Sequence, residues 1–244
     1  MTFDEVYIEH AIAAFDKQVY LSAMHGSHHW ELRLDLGRIA YLGPHNHRQE
    51  YQVEVLGTES ETEHTWLWAW ANPEMFSDAA FLRSAHALKK YGEMHGLGEL
   101  TVPVLPITHY VTGARIAAMT SGICRAAAYV RCAYPQGAAY MLIRDPHFKR
   151  PVQRPLTRIA RILPMFVSDE RQLPGRDYQT AFEHYLRFYR LGPAIRVTPD
   201  MHTFYTLQPT QREHTLMGEG LQIGENKPLV VEFDAARQLV QIGF

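Results

Sequence analysis

Residues 65–71 read Thr-Trp-Leu-Trp-Ala-Trp-Ala, with no charged side chain and no wet face. Alternation sends Trp66, Trp68 and Trp70 to one side and Leu67, Ala69 and Ala71 to the other, so a strand here is apolar on both faces. Such a strand belongs inside a sheet, with other strands beside it and helices over it.

Thr2 and Glu5 form a capping box ahead of Ile8, Ile12, Phe15 and Val19, which fall on one face at helical spacing, so the chain opens with an amphipathic helix. From Trp30 the period changes to two: Trp30, Leu32, Leu34 and Leu36 alternate with Glu31, Arg33 and Asp35. Gly37 breaks that strand, residues 39–42 resume it, and Gly43-Pro44-His45-Asn46-His47 makes a turn. Tyr51, Val53 and Val55 mark the next strand. Connections this short exclude helical crossovers, and the expected topology is an antiparallel meander.

Pro73 cannot join a ladder, so Ser77 or Asp78 is expected to cap a helix that turns Phe81, Leu82, Ala85 and Leu88 inward and stops at Gly92 or Gly96. Residues 100–107 are extended. Residues 112–128 form a helix whose Gly113, Ala117 and Ser121 recur at four-residue steps and permit close packing. Strands at 128–133 and 139–143 follow, joined by a turn at Pro135-Gln136-Gly137.

Length alone allows one domain or two. The basic, proline-rich stretch from Arg144 to Pro155 sets the expected border, with a Trp-motif α+β module over 1–145 and a helical pair plus C-terminal strands over 155–244. The helices span 156–166 and 178–190, the second carrying a Tyr178, Phe182, Tyr185 and Tyr189 stripe and ending at Gly192-Pro193. Strands are expected at 203–207, 220–223, 229–233 and 239–242, with a hairpin turn at 234–237. The fold class is therefore α+β, an antiparallel Trp-rich sheet packed by helices with a C-terminal α+β extension.

Charge narrows the partners. Lys and Arg number 24 against 26 Asp and Glu, so no global field attracts nucleic acid or anionic lipid. The acidic start at Asp4 and Glu5 is unlike a signal peptide, and no run approaches the roughly 20 apolar residues of a membrane span. A cytoplasmic location is expected. Cys124 and Cys132 match neither a redox pair nor a zinc knuckle and read as buried thiols.

Candidate ligand groups are few. Trp66, Trp68 and Trp70 on one face offer an aromatic wall for rings or cations, although the same residues also fill a core. Asn72 follows them, where it either orients a ligand or closes the turn before Pro73. His25, His28 and His29 precede one strand and His45 and His47 follow the next, which the linear reading places at opposite ends of the pair. No metal-ligand spacing, nucleophile elbow or phosphate loop is present, so no catalytic residue, metal or cofactor is assigned.

The strand Thr65-Trp66-Leu67-Trp68-Ala69-Trp70-Ala71-Asn72 resembles the signature of an uncharacterised bacterial domain of unknown function. The resemblance extends in order to Gln18 in the opening helix, to Leu56-Gly57, to Tyr91-Gly92-Glu93, and to Tyr129 and Arg131, covering roughly the first 145 residues. It implies a bacterial origin and an α+β fold, and it carries no activity. The leading functional expectation is a non-catalytic cytoplasmic protein that binds another protein, within bacterial conflict or stress systems. The alternative is a small-ligand binder or enzyme with a pocket beneath the Trp strand, using Trp66, Trp68, Trp70, Asn72, Glu93 and Arg131.

Overall fold

The capping box forms as its residues require. Thr2 donates its backbone N–H to Glu5 Oε2 at 2.7 Å, and Glu5 donates its own to Thr2 Oγ1 at 3.3 Å, opening helix α1 (Phe3–His25). The computed structural model describes residues 1–26, 28–75, 79–148, 155–169, 173–209 and 227–244. They divide into two units, Met1–Arg150 and Pro151–Phe244.

In the first unit α1 is followed by β1 (His29–Arg33), β2 (Arg38–Leu42), β3 (Arg48–Ser60) and β4 (Thr65–Trp68). Helix α2 (Arg83–His95), β5 (Val104–Pro106), α3 (Gly113–Ile123), β6 (Ala128–Tyr134) and β7 (Gly137–Ile143) complete it. Strands pair in the order β1-β2-β3-β4-β5, while β7 also joins β3 and β6 joins β7, and all the pairings are antiparallel. The expected meander therefore holds for the first four strands. The last hairpin returns to pair with β3.

Two boundaries differ from the sequence reading. β1 ends at Arg33, because Leu34–Leu36 coil into a 3-10 turn closed by Gly37 at φ 58°. β4 ends at Trp68, because Ala69–Ala71 form a second 3-10 turn. β4 still lies inside the sheet, between β3 and β5, as an apolar strand should. The strand buried at every position is β7.

Strand β3 sets the phase of both faces. Its pairing with β7 carries a bulge between Val55 and Gly57, where Val55 faces Met141 and Gly57 faces the adjacent Tyr140. Successive partners on β7 point to opposite faces, so the extra residue, Leu56, moves β3 from one face to the other. Before the bulge, Tyr51, Val53 and Val55 pack with Ile39, Val130 and Met141. After it, Gly57 stands between Trp68 on β4 and Tyr140 on β7. The Trp66 ring fills the space above it, and a Cβ on Gly57 would stand 2.7 Å from Trp66 Cζ2 and 2.4 Å from the Leu67 carbonyl oxygen.

Helix packing corrects the expected inward stripe of α1. Of Ile8, Ile12, Phe15 and Val19, Ile12 alone is buried, and the buried residues include Val6, Tyr7, Ala11, Ala14 and Leu21 together with Asp16 and Lys17. The helix touches both α3 and β6, so it is covered on more than one side, and small and polar residues are buried along with large apolar ones. Lys17 donates its Nζ to the Ser121 carbonyl at 3.2 Å. The small residues of α3 act as read: Gly113, Ala117 and Ser121 are all buried. On α2, Leu82 just before it, Ala85 and Leu88 are buried, Gly92 packs against Leu100, and Gly96 at φ 67° ends the helix. The expected caps Ser77 and Asp78 lie outside the described residues.

The second unit places α4 (Pro155–Ser168) and α5 (Tyr178–Tyr189) with a four-stranded antiparallel sheet ordered β11-β10-β9-β8. Its strands are β8 (Ala194–Val197), β9 (Thr203–Leu207), β10 (Leu229–Phe233) and β11 (Leu239–Gly243). Phe182 meets Tyr205 at 5.4 Å and Phe233 at 5.5 Å between ring centroids, which joins the expected aromatic stripe of α5 to the sheet. α5 ends at Tyr189 and is capped by Arg190 at φ 57°, two residues before Gly192-Pro193. β8 was not expected, and the strand expected at 220–223 falls outside the described residues. The fold is α+β throughout, and among the described residues no helix is long and apolar enough to cross a membrane.

Replacing Gly57 by Ala should destabilise the first unit by about 2–3 kcal/mol, because the added methyl meets backbone on one side and an indole on the other. Urea unfolding should show a lower midpoint with an unchanged slope. An unchanged midpoint would mean that β3 does not set the Trp66 position.

Candidate functional site

Antiparallel pairing gathers the histidines that the linear reading separates. His29 at the start of β1 faces Leu42 at the end of β2, so the turn that follows β2 folds back beside the end of α1. His28 then lies against Gly43, whose missing side chain leaves room: an added Cβ would stand 3.1 Å from the His28 ring. The expectation of opposite ends fails because two antiparallel strands bring the start of one to the end of the other.

His25, in the last turn of α1, is the centre of this group. Its Nε2 lies 3.0 Å from the Tyr51 hydroxyl and its Nδ1 lies 3.2 Å from His28 Nδ1. Its ring stacks on Tyr41 at 4.3 Å with an interplanar angle of 13°. Burial, with the charges of His28 and His47 nearby, lowers its pKa from 6.5 to about 4, so the ring is neutral at pH 7. A neutral imidazole carries one N–H, so whichever way Tyr51 bonds Nε2 decides whether Nδ1 donates to His28 or accepts from it. Tyr51, His25 and His28 thus form one polarised chain, with the half-buried His28 at its outer end.

The chain lies along a cleft of about 200 Å³ between α1, β1, β2 and β6. Gln18, Ser22, His25, His28, Trp30 and Arg131 are among its walls, and Tyr41, Tyr129 and Cys132 contribute as well. Gln18 is fixed by donating its Nε2 to the Tyr129 carbonyl at 2.9 Å. Trp30 is 42% exposed and offers a ring face at the rim. Burial pushes the Cys132 thiol up to about 12 and raises the Tyr41 hydroxyl further, so both stay protonated at neutral pH. No carboxylate lines the cleft. It offers hydrogen-bond donors and acceptors, flat rings and one guanidinium, without an activated nucleophile.

The residues singled out from sequence are spread more widely. Trp66 and Trp68 are fully buried, with their ring centroids 5.4 Å apart and Trp66 a further 5.4 Å from Tyr140. Trp68 donates its Nε1 to the Glu99 carbonyl at 2.9 Å. Trp70 leaves their row because of the 3-10 turn and sits partly buried against the opposite cluster, under Lys89 at 4.3 Å. The three indoles do not form one wall. Asn72 accepts the Met75 backbone N–H at 3.4 Å and so closes its turn, while Glu93 is exposed on α2. Arg131 pairs with Glu61 at 2.9 Å and lines the cleft. Sequence reasoning missed Tyr41 and Tyr51, whose part becomes visible once the β2 to β3 register is known: each stands one strand from the other, beneath His25. Among the described residues no group of 3 or more His, Cys, Asp or Glu side chains is placed to hold a metal ion.

DUF6882, described as a family of unknown function, matches residues 4–146. No curated protein and no solved structure matches the chain.

The low His25 pKa has a measurable consequence. Between pH 6.5 and pH 4 the unfolded chain binds a proton at His25 that the native ring refuses, so stability present above pH 6.5 is lost as the pH falls. A tenfold shift of a protonation equilibrium is worth about 1.4 kcal/mol, which puts the full effect at about 3.5 kcal/mol. Urea midpoints compared at pH 7.5 and pH 4.5 should fall further for the native sequence than for His25→Gln. Parallel losses in the two proteins would show that His25 is charged in the native state.

Proposed function

We infer, from the premise that the chain belongs to the family of unknown function DUF6882, that its N-terminal unit is a non-catalytic binding module for a small, planar, hydrogen-bonding molecule. The observation that carries this reading is the Tyr51–His25–His28 chain along a cleft whose rim holds Trp30 and Arg131. Both His25 nitrogens are engaged, so the ring fixes the orientation of His28. Trp30 offers a stacking face and His28 and Gln18 offer in-plane hydrogen bonds, while Arg131, already paired with Glu61, lines the cleft as a neutralised group. Cys132 and Tyr41 are held in their protonated forms, which supports binding over covalent chemistry.

A second reading keeps the expectation of a cytoplasmic bacterial protein with a protein partner. It is favoured by β8, which pairs with β9 along one edge and exposes Ile195 and Val197 at 59% and 55%. A free strand edge accepts a strand from another chain. The modular border near residue 145 belongs to this reading, in which the N-terminal part folds alone as a scaffold and the C-terminal part binds the partner.

Native mass spectrometry of the full chain, compared with a denatured spectrum of the same sample, separates these readings. Added small mass that disappears on denaturation, and that is lost in His28→Ala and Trp30→Ala, is expected for the cleft. A co-purifying polypeptide lost in Ile195→Lys would favour the strand edge instead. Retention of the small mass in both cleft variants would overturn the first reading.

A further inference from the structure

Beside α2, away from the histidine cleft, Glu54 of β3 is 5% exposed and accepts both the backbone N–H and the hydroxyl of Ser84, at 2.9 and 2.5 Å. Arg83 adds an ion pair to its other oxygen at 3.2 Å. The first turn of α2 is therefore already occupied by a carboxylate belonging to the protein. Two cavities adjoin this pair. One of about 440 Å³ is lined by Glu54, Arg83, Ser84, Ala87, Cys124 and Arg144. The other, of about 190 Å³, has Glu54, Arg83 and Arg144 in common with it and adds Arg38 and Gln52.

The charge of this trough is unbalanced. Three solvent-facing guanidinium groups line it against the single carboxylate of Glu54, and this excess of positive charge favours an anion. Arg38 is relieved by Glu50 at the outer wall, at 3.1 Å. Arg144 donates to the Cys124 carbonyl, and among the described residues no carboxylate pairs with it. Arg83 is 72% exposed, with its Nη2 on Glu54 and its Nε donated to the Ala80 carbonyl at 3.2 Å, so its Nη1 edge is what remains for a ligand. The Cys124 thiol is raised by burial, against the opposing effects of Ser84 and Arg144, so it adds a weak donor and no negative charge.

We propose that this trough binds a phosphomonoester, with the phosphoryl oxygens shared between Arg83 and Arg144 and the remainder of the molecule in the larger cavity. A carboxylate has two coplanar oxygens and suits one guanidinium fork. A phosphoryl group presents three oxygens in different directions and suits two forks that approach from separate elements, here the start of α2 and the end of β7. The proposal is independent of the histidine cleft.

Calorimetric titration of the full chain with phenyl phosphate, inorganic phosphate and benzoate tests it. Phenyl phosphate should bind saturably and at least tenfold more tightly than benzoate, and inorganic phosphate should compete with it. Arg83→Gln and Arg144→Lys should each weaken phenyl phosphate at least tenfold, while His28→Ala leaves it unchanged. Arg83 is largely exposed, so its variant keeps the test valid even where replacement of Arg144 disturbs folding. Absence of saturable binding, equal affinity for benzoate, unchanged affinity in Arg83→Gln, or loss of binding in His28→Ala would each overturn the assignment.

Discussion

A single inserted residue governs the first unit. Strand β3 is 13 residues long and is hydrogen-bonded to β2, β4 and β7, so its phase is communicated to every strand beside it. Leu56 at the bulge changes that phase midway. Without the bulge, Leu56 would pair with Tyr140 and Gly57 would fall on the Val55 side, so the gap that the Trp66 ring occupies would be lost. The bulge and the glycine are therefore one device. It lets one long strand serve two cores, with aliphatic and tyrosine side chains on one face and indoles on the other.

Much of the fold was legible from periodicity and turn chemistry. The capping box, the two C-terminal helices and the hairpin of β6 and β7 all rest on local signals that no tertiary contact needs to override. The early end of β4 was not legible, since Ala69, Trp70 and Ala71 alternate as well as Trp66, Leu67 and Trp68 do. What ends it is the turn at 69–71, which sets Trp70 against the opposite core cluster, beside Ala69. The inward face of α1 was misjudged for a related reason. Hydrophobicity marks a single face that prefers to be dry, whereas α1 is covered by both α3 and β6, which buries Ala11 and Ala14 and lets Lys17 reach the Ser121 carbonyl.

The site was legible only in its parts. Histidines are abundant and Arg131 was singled out, yet their convergence depends on strand register and on a turn of five residues, neither of which a linear pattern shows. Tyr41 and Tyr51 carry no motif. They matter because adjacent strands bring them together under one imidazole, and a tyrosine in a strand is otherwise ordinary core material. The same holds for Glu54, whose partners arrive from α2, some 30 positions along the chain.

The indoles also sort themselves optically. Of the 4 tryptophans, Trp66 and Trp68 are sealed from solvent and Trp70 is partly covered, while Trp30 stands at the mouth of the histidine cleft. Indole emission shifts to the red in water, so the long-wavelength edge of the fluorescence spectrum is dominated by Trp30 and the short-wavelength edge by the buried pair. A soluble quencher that darkens the red edge alone makes the protein a reporter of its own cleft, without any attached dye.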